Sequence, residues 1–557
     1  MAPDECSVVI VGGGPCGLML ANELGRRGVS AMLFDAKSTT AFNPQANATQ
    51  ARTMEHFRRL GIAEEIRALG LPAQFPTDIA YFTRYAGHEL ARFELPSAKE
   101  ARTRVGGLSG SWSAAELPHR VSQKYVEAAL RRHAERLPGV NIEFGSHVVS
   151  VADCGGHVEA IVERLSDGRR RTVRGDYLVG ADGPRSLVRQ ELGFGYVGET
   201  GLIRDFMGGR MYAVYLRSPQ FYQVVPHAPA WMNVTFNRDR RAFMAAVDGR
   251  GEFAFHTQLR THEADETMRE QDALALFQSA VGAPVEAEIL SRGSWTAGHA
   301  LVSDRFQSGR IFLGGDAAHL FTPTGGLGYN TAIEDAVNLG WKLAAAIKGQ
   351  AGPDLLGSYE SERRPLALRN TGFARRFADS LGLFEPVAEI EDETPAGEEA
   401  RAKAGAYFTE HAKAEFDIPG VTFGGRYDGS PIIIGDGTPP PADAANVYSP
   451  SACPGGRAPH MWLEPGHSLY DAFGFEWTLL RTGRGTAAGE GLVRAARAAG
   501  LDLTIVNVAS ENARDLYATD LALIRPDQIV AWRGDACEDP ERIIATALGG
   551  ARFEGRG

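Results

Sequence analysis

The spacing of apolar residues changes repeatedly along the chain, and it predicts short strands that alternate with helices. Residues 7–11 form a run of mostly β-branched residues that predicts a strand, and apolar positions recur at helical spacing from Leu18 to Leu24. A second apolar run covers residues 31–34. The N-terminal segment therefore predicts a strand, a helix and a second strand in direct succession.

Similar patterns continue over the rest of the chain. Ser122 is predicted to be the N-cap of an amphipathic helix, and residues 200–285 have the aromatic-rich alternation of a sheet. Residues 385–405 are rich in Glu, Ala and Pro, which predicts a linker or a loosely packed helix. Further strands are predicted at residues 141–144, 147–151, 157–162, 176–180, 310–313, 478–480, 503–506, 521–524 and 529–532, and further helices at 332–347 and 489–499. Together these elements predict a mixed α/β (α+β) protein.

Composition limits the classes of function. The 557 residues are enough for two or three domains, and the 44% hydrophobic and 23% charged residues are typical of a globular protein. A net charge of -11 disfavours nucleic acid or an anionic membrane as a partner. No apolar run reaches the length of a membrane span and no secretory signal is visible, so we expect a cytoplasmic protein.

The five cysteines are scattered and never form a CxxC pair. An odd number of isolated cysteines supports neither a disulfide framework nor a zinc site, and we expect free thiols and no bound metal.

The turn after the first predicted strand is rich in glycine. Gly12, Gly14 and Gly17 have the spacing that allows a tight turn, a close approach of the backbone to a pyrophosphate, and close packing of helix on strand. Asp35 ends the second strand, where a carboxylate can bind the hydroxyls of a ribose. A turn of purely structural use is the alternative for a glycine run alone. The strand, the helix and the acidic residue together favour a dinucleotide site.

Two later stretches repeat the order of strand, turn and helix start. Asp182 and Gly183 follow one apolar run, and here the alternative is a turn in which Asp182 caps the helix. Gly315 and Asp316 follow another, before the glycine-rich residues 323–330. Asp316 can accept hydrogen bonds from a sugar-like hydroxyl chain, and the helix start after it can stabilise negative charge on a reduced isoalloxazine.

In this order the three motifs resemble those of the single-component FAD-dependent aromatic hydroxylases, the group of para-hydroxybenzoate hydroxylase and phenol hydroxylase, over residues 5–370. Residues 425–431 and 454–460 are similar to the C-terminal thioredoxin-like domain of the phenol hydroxylase branch. The redox cysteine pair of thioredoxins is missing, so an interface or structural role is expected for that domain.

The resemblance implies a domain division. A Rossmann-like FAD-binding domain is expected over residues 1–75, 101–195 and 286–385, with an inserted β-sheet domain that binds substrate over 76–100 and 196–285. A linker over 386–420 and a thioredoxin-like domain over 421–557 follow. Only one nucleotide-binding βαβ unit is visible, which fits a family that retains FAD and meets NADPH or NADH transiently. A glutathione-reductase-like enzyme would show a second unit and usually a redox cysteine pair.

The resemblance also implies site residues. Pro323 would lie over the flavin ring beside the reaction site, and Asn47 falls where the phenol hydroxylase branch has an aspartate near its substrate. The residues expected to bind the cofactor are Gly12, Gly14, Pro15, Cys16, Gly17, Asp35, Ala36, Arg52, Arg120, Gln123, Asp182, Asp316, Gly326, Leu327, Gly328, Tyr329 and Asn330.

The implied activity is that of an NAD(P)H-dependent flavoprotein monooxygenase. NAD(P)H would reduce FAD, O2 would form a flavin C4a-hydroperoxide, and one oxygen atom would pass to a small electron-rich aromatic substrate, phenolic in the simplest case. A residue that takes the phenol proton is expected, and Tyr222, His227 and Tyr215 are the candidates. Asn47, Tyr215, Tyr222 and Trp231 are expected to bind the substrate.

Two alternatives stay open at this point. The same chemistry would serve a flavin epoxidase or a Baeyer–Villiger oxygenase that acts on a polyketide. The chain could also bind flavin without turnover, as an assembly protein. A homodimer is common in the family.

Overall fold

The computed structural model describes residues 4–200, 209–260, 263, 267–483 and 489–550. The elements up to residue 144 are β1 (Asp4–Val11), α1 (Pro15–Arg26), β2 (Ala31–Asp35), α2 (Ala51–Leu60), α3 (Ala63–Arg67), β3 (Ile79–Phe82), β4 (Glu89–Phe93), α4 (Ala98–Arg104), α5 (Gln123–Ala134) and β5 (Val140–Phe144).

The central elements follow up to residue 347. They are β6 (Ser146–Asp153), β7 (Val158–Arg164), β8 (Arg170–Gly180), α6 (Leu187–Glu191), β9 (Tyr196–Glu199), β10 (Gly209–Arg217), α7 (Phe221–Val224), β11 (Met232–Phe236), β12 (Arg241–Ala246), β13 (Glu252–Gln258), α8 (Glu270–Val281), β14 (Glu288–Ala297), β15 (Ala300–Ser303), β16 (Gln307–Ser308), β17 (Ile311–Leu313), β18 (His319–Leu320) and α9 (Leu327–Ile347).

The remaining elements follow residue 357. They are α10 (Ser358–Leu383), α11 (Pro395–Phe416), α12 (Pro419–Phe423), β19 (Trp462–Glu464), β20 (His467–Ser468), α13 (Leu469–Ala472), β21 (Trp477–Arg481), α14 (Glu490–Ala498), β22 (Leu503–Asn507), α15 (Glu511–Tyr517), β23 (Leu521–Ile524), β24 (Val530–Gly534) and α16 (Pro540–Ala547).

A parallel sheet forms the centre of the first domain. Its strands lie in the order β17, β8, β1, β2, β5, with the antiparallel hairpin β6–β7 continuing from β8. The apolar side chains of β1 and α1 are buried in its core, as the sequence predicts. Because the carboxyl ends of parallel strands lie at one edge, the turns after β1, β2, β8 and β17 meet there.

Helix α5 starts where its pattern predicts, but Ser122 does not cap it with its side chain. Ser122 occupies the N-cap position without a side-chain capping hydrogen bond, and its hydroxyl has no partner in the part of the chain that the structure describes. The backbone N–H of Gln123 instead donates to the carbonyl of Ala46 at 2.7 Å. A neighbouring loop therefore satisfies the first N–H of the helix, which is not one of the N–H groups that an N-cap side chain reaches.

The second sheet has seven strands in the order β14, β10, β13, β12, β11, β3, β4. This sheet confirms the aromatic-rich sheet that the sequence predicts, but the residues that form it differ from the predicted range. Strand β14 pairs with β10 along most of its length, so the sheet extends beyond residue 285. Strand β9 pairs instead with β15 in a small separate sheet.

The segment expected to be a linker over residues 386–420 contains the long helix α11. Thr394 caps it by accepting a hydrogen bond from the N–H of Gly397. Ala404, Phe408 and Ala412 are buried against the seven-stranded sheet, and the ring of Phe408 stacks on Tyr81 with centroids 4.6 Å apart. These apolar residues recur every four positions, which is a narrow helical stripe that the Glu- and Ala-rich composition conceals.

The C-terminal domain has the predicted thioredoxin-like topology. Its sheet has the order β22, β21, β23, β24, with β21 and β22 parallel and β23 antiparallel to both of its neighbours. Its cysteines Cys453 and Cys537 are free thiols. The indole of Trp477 packs edge-on against Trp341 of the first domain, with centroids 5.6 Å apart. In none of the described ranges is a helix both long and apolar enough to cross a bilayer.

Candidate active site

The glycine-rich turn after β1 is held against the neighbouring strands. Gly12 has a φ of +112°, and a Cβ there would lie 2.1 Å from the carbonyl oxygen of Ala181. The N–H of Gly13 donates to a carboxylate oxygen of Asp35 at 2.7 Å. A Cβ on Gly14, by contrast, would meet no atom within 4 Å. Gly12 is thus required by the fold, whereas Gly14 leaves open space above the turn.

Two helices begin at this edge without a side-chain cap. Helix α1 starts at Pro15, after Gly14, and α9 starts after Gly326, which has a φ of +67°. Neither helix has an acidic residue in its first turn. Uncapped N–H groups and the positive end of the helix dipole favour bound anionic groups, and the phosphates of a dinucleotide fit this setting.

The turn after β17 is anchored by a buried charged cluster. The N–H of Gly315 donates to Asp335 at 3.1 Å, and Asp335 also contacts His319 Nε2 at 2.6 Å and Arg363 Nε at 2.8 Å. The side chains of these three charged or polar residues are fully buried. The adjacent Asp316 lies in the same turn and is exposed to solvent. The cluster therefore fixes the turn that carries Asp316.

Replacing Asp335 with Asn is expected to lower the free energy of unfolding by about 1–3 kcal/mol, because it leaves Arg363 and the Gly315 turn with a weaker acceptor. Denaturant unfolding of the protein measures the loss. Glu334 is a matched control, since it binds the same Arg363 at 3.0 Å but is partly exposed. Glu334→Gln is expected to cost less than about 1 kcal/mol. Equal losses in both variants would contradict the anchoring role of Asp335.

The loop before α2 lies against the start of α9. The side chain of Asn330 accepts from the N–H of Gln50 at 2.8 Å and donates to the carbonyl of Ala48 at 2.9 Å. The backbone of Gln123 contacts Ala46 of the same loop, and its side chain donates to Glu127 at 2.7 Å. Asn47 therefore lies between two of the stretches expected to hold the cofactor, and its side-chain oxygen is buried without a partner among the described residues.

Glu415 on α11 is a site residue that the sequence reasoning missed. It accepts a hydrogen bond from the N–H of Gly325 at 2.9 Å, and the carbonyl of Gly325 accepts from the side chain of Gln50 at 2.7 Å. His411 Nε2 lies 2.9 Å from the other carboxylate oxygen. Both sides of the turn before α9 are thus fixed. No local motif marks Glu415, although its position one turn after His411 on a helix was a usable signal.

Arg120 is a buried charge at this edge, and Glu415 partly compensates it by electrostatic attraction. It is 6% exposed, its guanidinium carbon lies 4.4 Å from the centre of the Trp231 ring, and no hydrogen bond or ion pair joins it to another described residue. The indole N–H of Trp231 is also buried without a partner in the described chain. Burial lowers the pKa of Arg120 to about 10, so the group stays charged at neutral pH. A buried donor without an acceptor, here the indole N–H of Trp231, is unfavourable unless a ligand supplies the acceptor.

The three residues expected to take a proton lie in different places. Tyr215 faces the first domain, where its hydroxyl accepts from Lys124 Nζ at 2.5 Å and donates to Glu252. Burial and the hydrogen bond to Glu252 raise the pKa of Tyr215, which argues against its hydroxyl as a base. Tyr222 packs against Phe253, and His227 Nε2 donates to the carbonyl of Gly87 at 2.6 Å.

Tyr222 and His227 lie away from the first domain. Their ring partners, Phe253 and Phe82, are on the face of the seven-stranded sheet opposite to the one that carries Tyr215 and Tyr81. The structure therefore does not bring these two candidates to the edge where the glycine turns meet. Pro323 is exposed in the loop before α9, and its place beside the flavin stays a prediction.

Two residues expected to bind the cofactor have their side chains engaged elsewhere. The guanidinium of Arg52 binds Glu55, Gln528 and the carbonyl of Asp527, and so joins the first domain to the C-terminal domain. The carboxylate of Asp182 accepts from the Ser186 hydroxyl at 2.5 Å and from the N–H of Val188 at 3.2 Å, which is the capping alternative. Asp182 shapes its turn without offering a free carboxylate.

The described chain contains one cluster of residues of the types that bind metal ions, although the sequence predicts no bound metal. Cys154, His157 and Glu159 place their ligand atoms within 4.8 Å of one another on the hairpin β6–β7. Glu159 also forms an ion pair with Arg174 at 2.8 Å.

The converging turns and the two uncapped helix starts beside an aromatic sheet are the features of a dinucleotide-binding protein. Comparison with known proteins specifies the class. The family described as "FAD binding domain" matches residues 5–374, and that described as "Aromatic-ring hydroxylase, C-terminal" matches residues 451–551.

Curated relatives and solved structures agree with these matches. The FAD-dependent monooxygenase apdD of Emericella nidulans is 32% identical and aligns with 98% of this chain and 90% of its own. Phenol 2-monooxygenase of a Pseudomonas species is 30% identical over 98% of this chain and 93% of its own. The structure of chromopyrrolic acid-soaked RebC with bound 7-carboxy-K252c is 33% identical, covers 99% of this chain and all of that chain (100%), and has a TM-score of 0.88. The chain belongs to the family of FAD-dependent aromatic-ring hydroxylases and is a flavoprotein monooxygenase.

Proposed function

We propose that the protein hydroxylates an electron-rich, phenolic aromatic ring with NADPH or NADH and O2 as co-substrates. The observation that carries this proposal is that the edge where the dinucleotide turns meet adjoins the seven-stranded sheet, where the guanidinium of Arg120 stacks on Trp231 and the indole N–H of Trp231 has no acceptor among the described residues. When bound, FAD supplies the transfer of electrons from the nicotinamide and the activation of O2. Phenol 2-monooxygenase is among the relatives of the chain.

The residues of the chain provide binding, orientation and exclusion of water. The N–H groups at the starts of α1 and α9 and the open space over Gly14 fit the phosphates and the flavin ring. Asp35 and Asp316 lie at the ends of their strands, where they can bind hydroxyls. Arg120 stabilises an anionic or oxygen-rich group, either on the flavin or on a phenolate. Helix α11 closes the β3 end of the sheet against solvent through Phe408.

Turnover with a panel of phenols tests the proposal. The FAD-loaded protein is expected to oxidise NADPH or NADH faster when one of the phenols is present, and the product is expected to gain one oxygen atom from labelled O2. Product mass separates ring hydroxylation from epoxidation and from Baeyer–Villiger insertion on a polyketide. Nicotinamide oxidation that yields only H2O2 with every aromatic compound would contradict the proposal.

Replacing Arg120 with Met is expected to lower kcat/KM by about 10–100-fold, because the variant keeps an unbranched apolar stem and removes the charged donors. Steady-state kinetics with a phenol identified by the panel measures the change. Arg102→Met is the control, since Arg102 is exposed on α4 and pairs with Glu64. The same loss in both variants, or no loss in Arg120→Met, would show that Arg120 does not act in the site.

A further inference from the structure

The face of the seven-stranded sheet that meets the first domain is identified by its contacts. Residues directly opposite in a ladder point to the same face, so Tyr215 on β10 shares its face with Ala254 and His256 on β13. Tyr215 contacts Lys124 of α5, and Ser291, its partner on β14, donates to Asn43 at 2.6 Å. His256 therefore faces the first domain.

The middle of this face is less buried than the opposite face of the sheet. Ala213, Phe243, His256 and Gly293 lie in one row across four strands and are half-buried. On the opposite face of the same strands Val214 is 1% exposed and Met244 and Phe255 are 0% exposed.

The two smallest residues of the row are neighbours on adjacent strands. A Cβ on Gly293 would meet no atom within 4 Å, and its neighbour Ala213 carries only a methyl group. The small side chains of Ala213 and Gly293 therefore leave space on the face of the sheet that meets the first domain.

His256 has a fixed orientation in this row. Its ring stacks on Phe243 with centroids 4.5 Å apart and an interplanar angle of 8°, and its Nδ1 accepts a hydrogen bond from Trp295 Nε1 at 3.3 Å. Burial lowers the pKa of His256 to about 4, so the ring is neutral at pH 7. A neutral imidazole that accepts at Nδ1 carries its proton on Nε2. In the described chain that Nε2 has no partner.

We propose that His256 donates a hydrogen bond from Nε2 to an oxygen atom of the substrate, which lies flat over Ala213 and Gly293 beside the Phe243 ring. The proposal deepens the proposed function and rests on it. It specifies the substrate class as a planar aromatic compound with a phenol or quinone oxygen directed at the sheet. His256 then selects and orients the ring by donating a hydrogen bond, and it takes no proton from the substrate.

Binding of 2-naphthol and naphthalene to the FAD-loaded protein tests this assignment. The two probes share a flat ring system and differ in the oxygen that His256 would bind. Calorimetric titration without nicotinamide is expected to show tighter binding of 2-naphthol by the unmodified protein. His256→Phe is expected to reduce that preference about tenfold, and His256→Gln, which retains an N–H donor, is expected to keep most of it.

His88→Gln is a matched control at the surface of the same domain, where His88 lies 3.2 Å from Glu393. It is expected to bind both probes as the unmodified protein does. An unchanged preference in His256→Phe, an equal loss in His256→Gln, or equal binding of the two probes by the unmodified protein would overturn the assignment. Because the titration requires no turnover, an absence of nicotinamide oxidation would count against the proposed function alone.

Discussion

Replacing Gly14 with alanine is expected to leave the protein folded and to raise the dissociation constant for FAD by at least about tenfold, or ~1.4 kcal/mol. Gly14 has a φ of −82° and a ψ of −173°, which alanine adopts without strain, and its Cβ would meet no atom of the chain. That Cβ would occupy the open space over the turn, where the backbone approaches the pyrophosphate. Titration of the FAD-free protein with FAD, followed by flavin fluorescence, measures the change.

Two other glycines make this prediction specific. Gly106→Ala adds a methyl group in open space away from the turn and is expected to change neither stability nor FAD binding. Gly12→Ala is expected to impair folding, because its Cβ would collide with Ala181 at a positive φ. If Gly14→Ala bound FAD as tightly as Gly106→Ala does, the pyrophosphate would not lie at this turn.

Replacing Arg525 with alanine is expected to lower the free energy of unfolding by about 3–5 kcal/mol, because it leaves buried carboxylates uncompensated. Arg525 lies in the C-terminal domain and contacts Glu362 of α10 at 2.6 and 2.9 Å and Asp527 at 2.6 Å. All of these groups are buried, and Glu362 also binds Lys342 at 2.6 Å. Denaturant unfolding measures the loss.

Arg514→Ala is the matched control for this variant. Arg514 belongs to the same domain and contacts Asp520 and Asp535, but it is exposed, so its loss is expected to cost less than about 1 kcal/mol. A small effect of Arg525→Ala would mean that the C-terminal domain is held mainly by apolar contacts such as that between Trp341 and Trp477.

The same cluster predicts a dependence of stability on pH. Burial by itself would raise the pKa of Glu362, but Arg525 and Lys342 lower it below its usual value. A carboxyl with a lowered pKa in the folded state adds stability that is present above about pH 4.3 and is lost as the pH falls below it. Arg525→Ala is therefore expected to show a shallower decrease of stability in acid than the unmodified protein. A parallel decrease would contradict the role of this pair.

Much of the fold could be predicted from local pattern. The strand of residues 7–11, the glycine turn and the start of α5 follow from spacing and turn chemistry, which act between residues close in the chain. For residues 385–405 the sequence left open a linker or a loosely packed helix, because the apolar stripe of α11 is only one residue wide per turn. A stripe this narrow identifies a buried helix only when the surface that covers it is known. Here that surface is Tyr81 and its sheet.

The candidate site residues also divide into those that the local sequence determines and those that tertiary packing determines. The glycine and aspartate turns are set by the sequence itself, because a residue without a Cβ and a carboxylate at a strand end act through the adjacent backbone. Arg52 and Arg120 are both arginines near helix starts, yet Arg52 bonds to Gln528 and Arg120 stacks on Trp231. Their different environments come from residues more than a hundred positions away.

The sequence by itself determined that this chain binds a dinucleotide at the carboxyl ends of parallel strands and carries an aromatic sheet. Only the tertiary structure decided which face of that sheet meets the first domain, that His256 and not Tyr222 or His227 lies on it, and that Glu415 supports the turn before α9. The physical reason is that strand alternation divides side chains between two faces without saying which face another domain will cover. That choice depends on long-range packing.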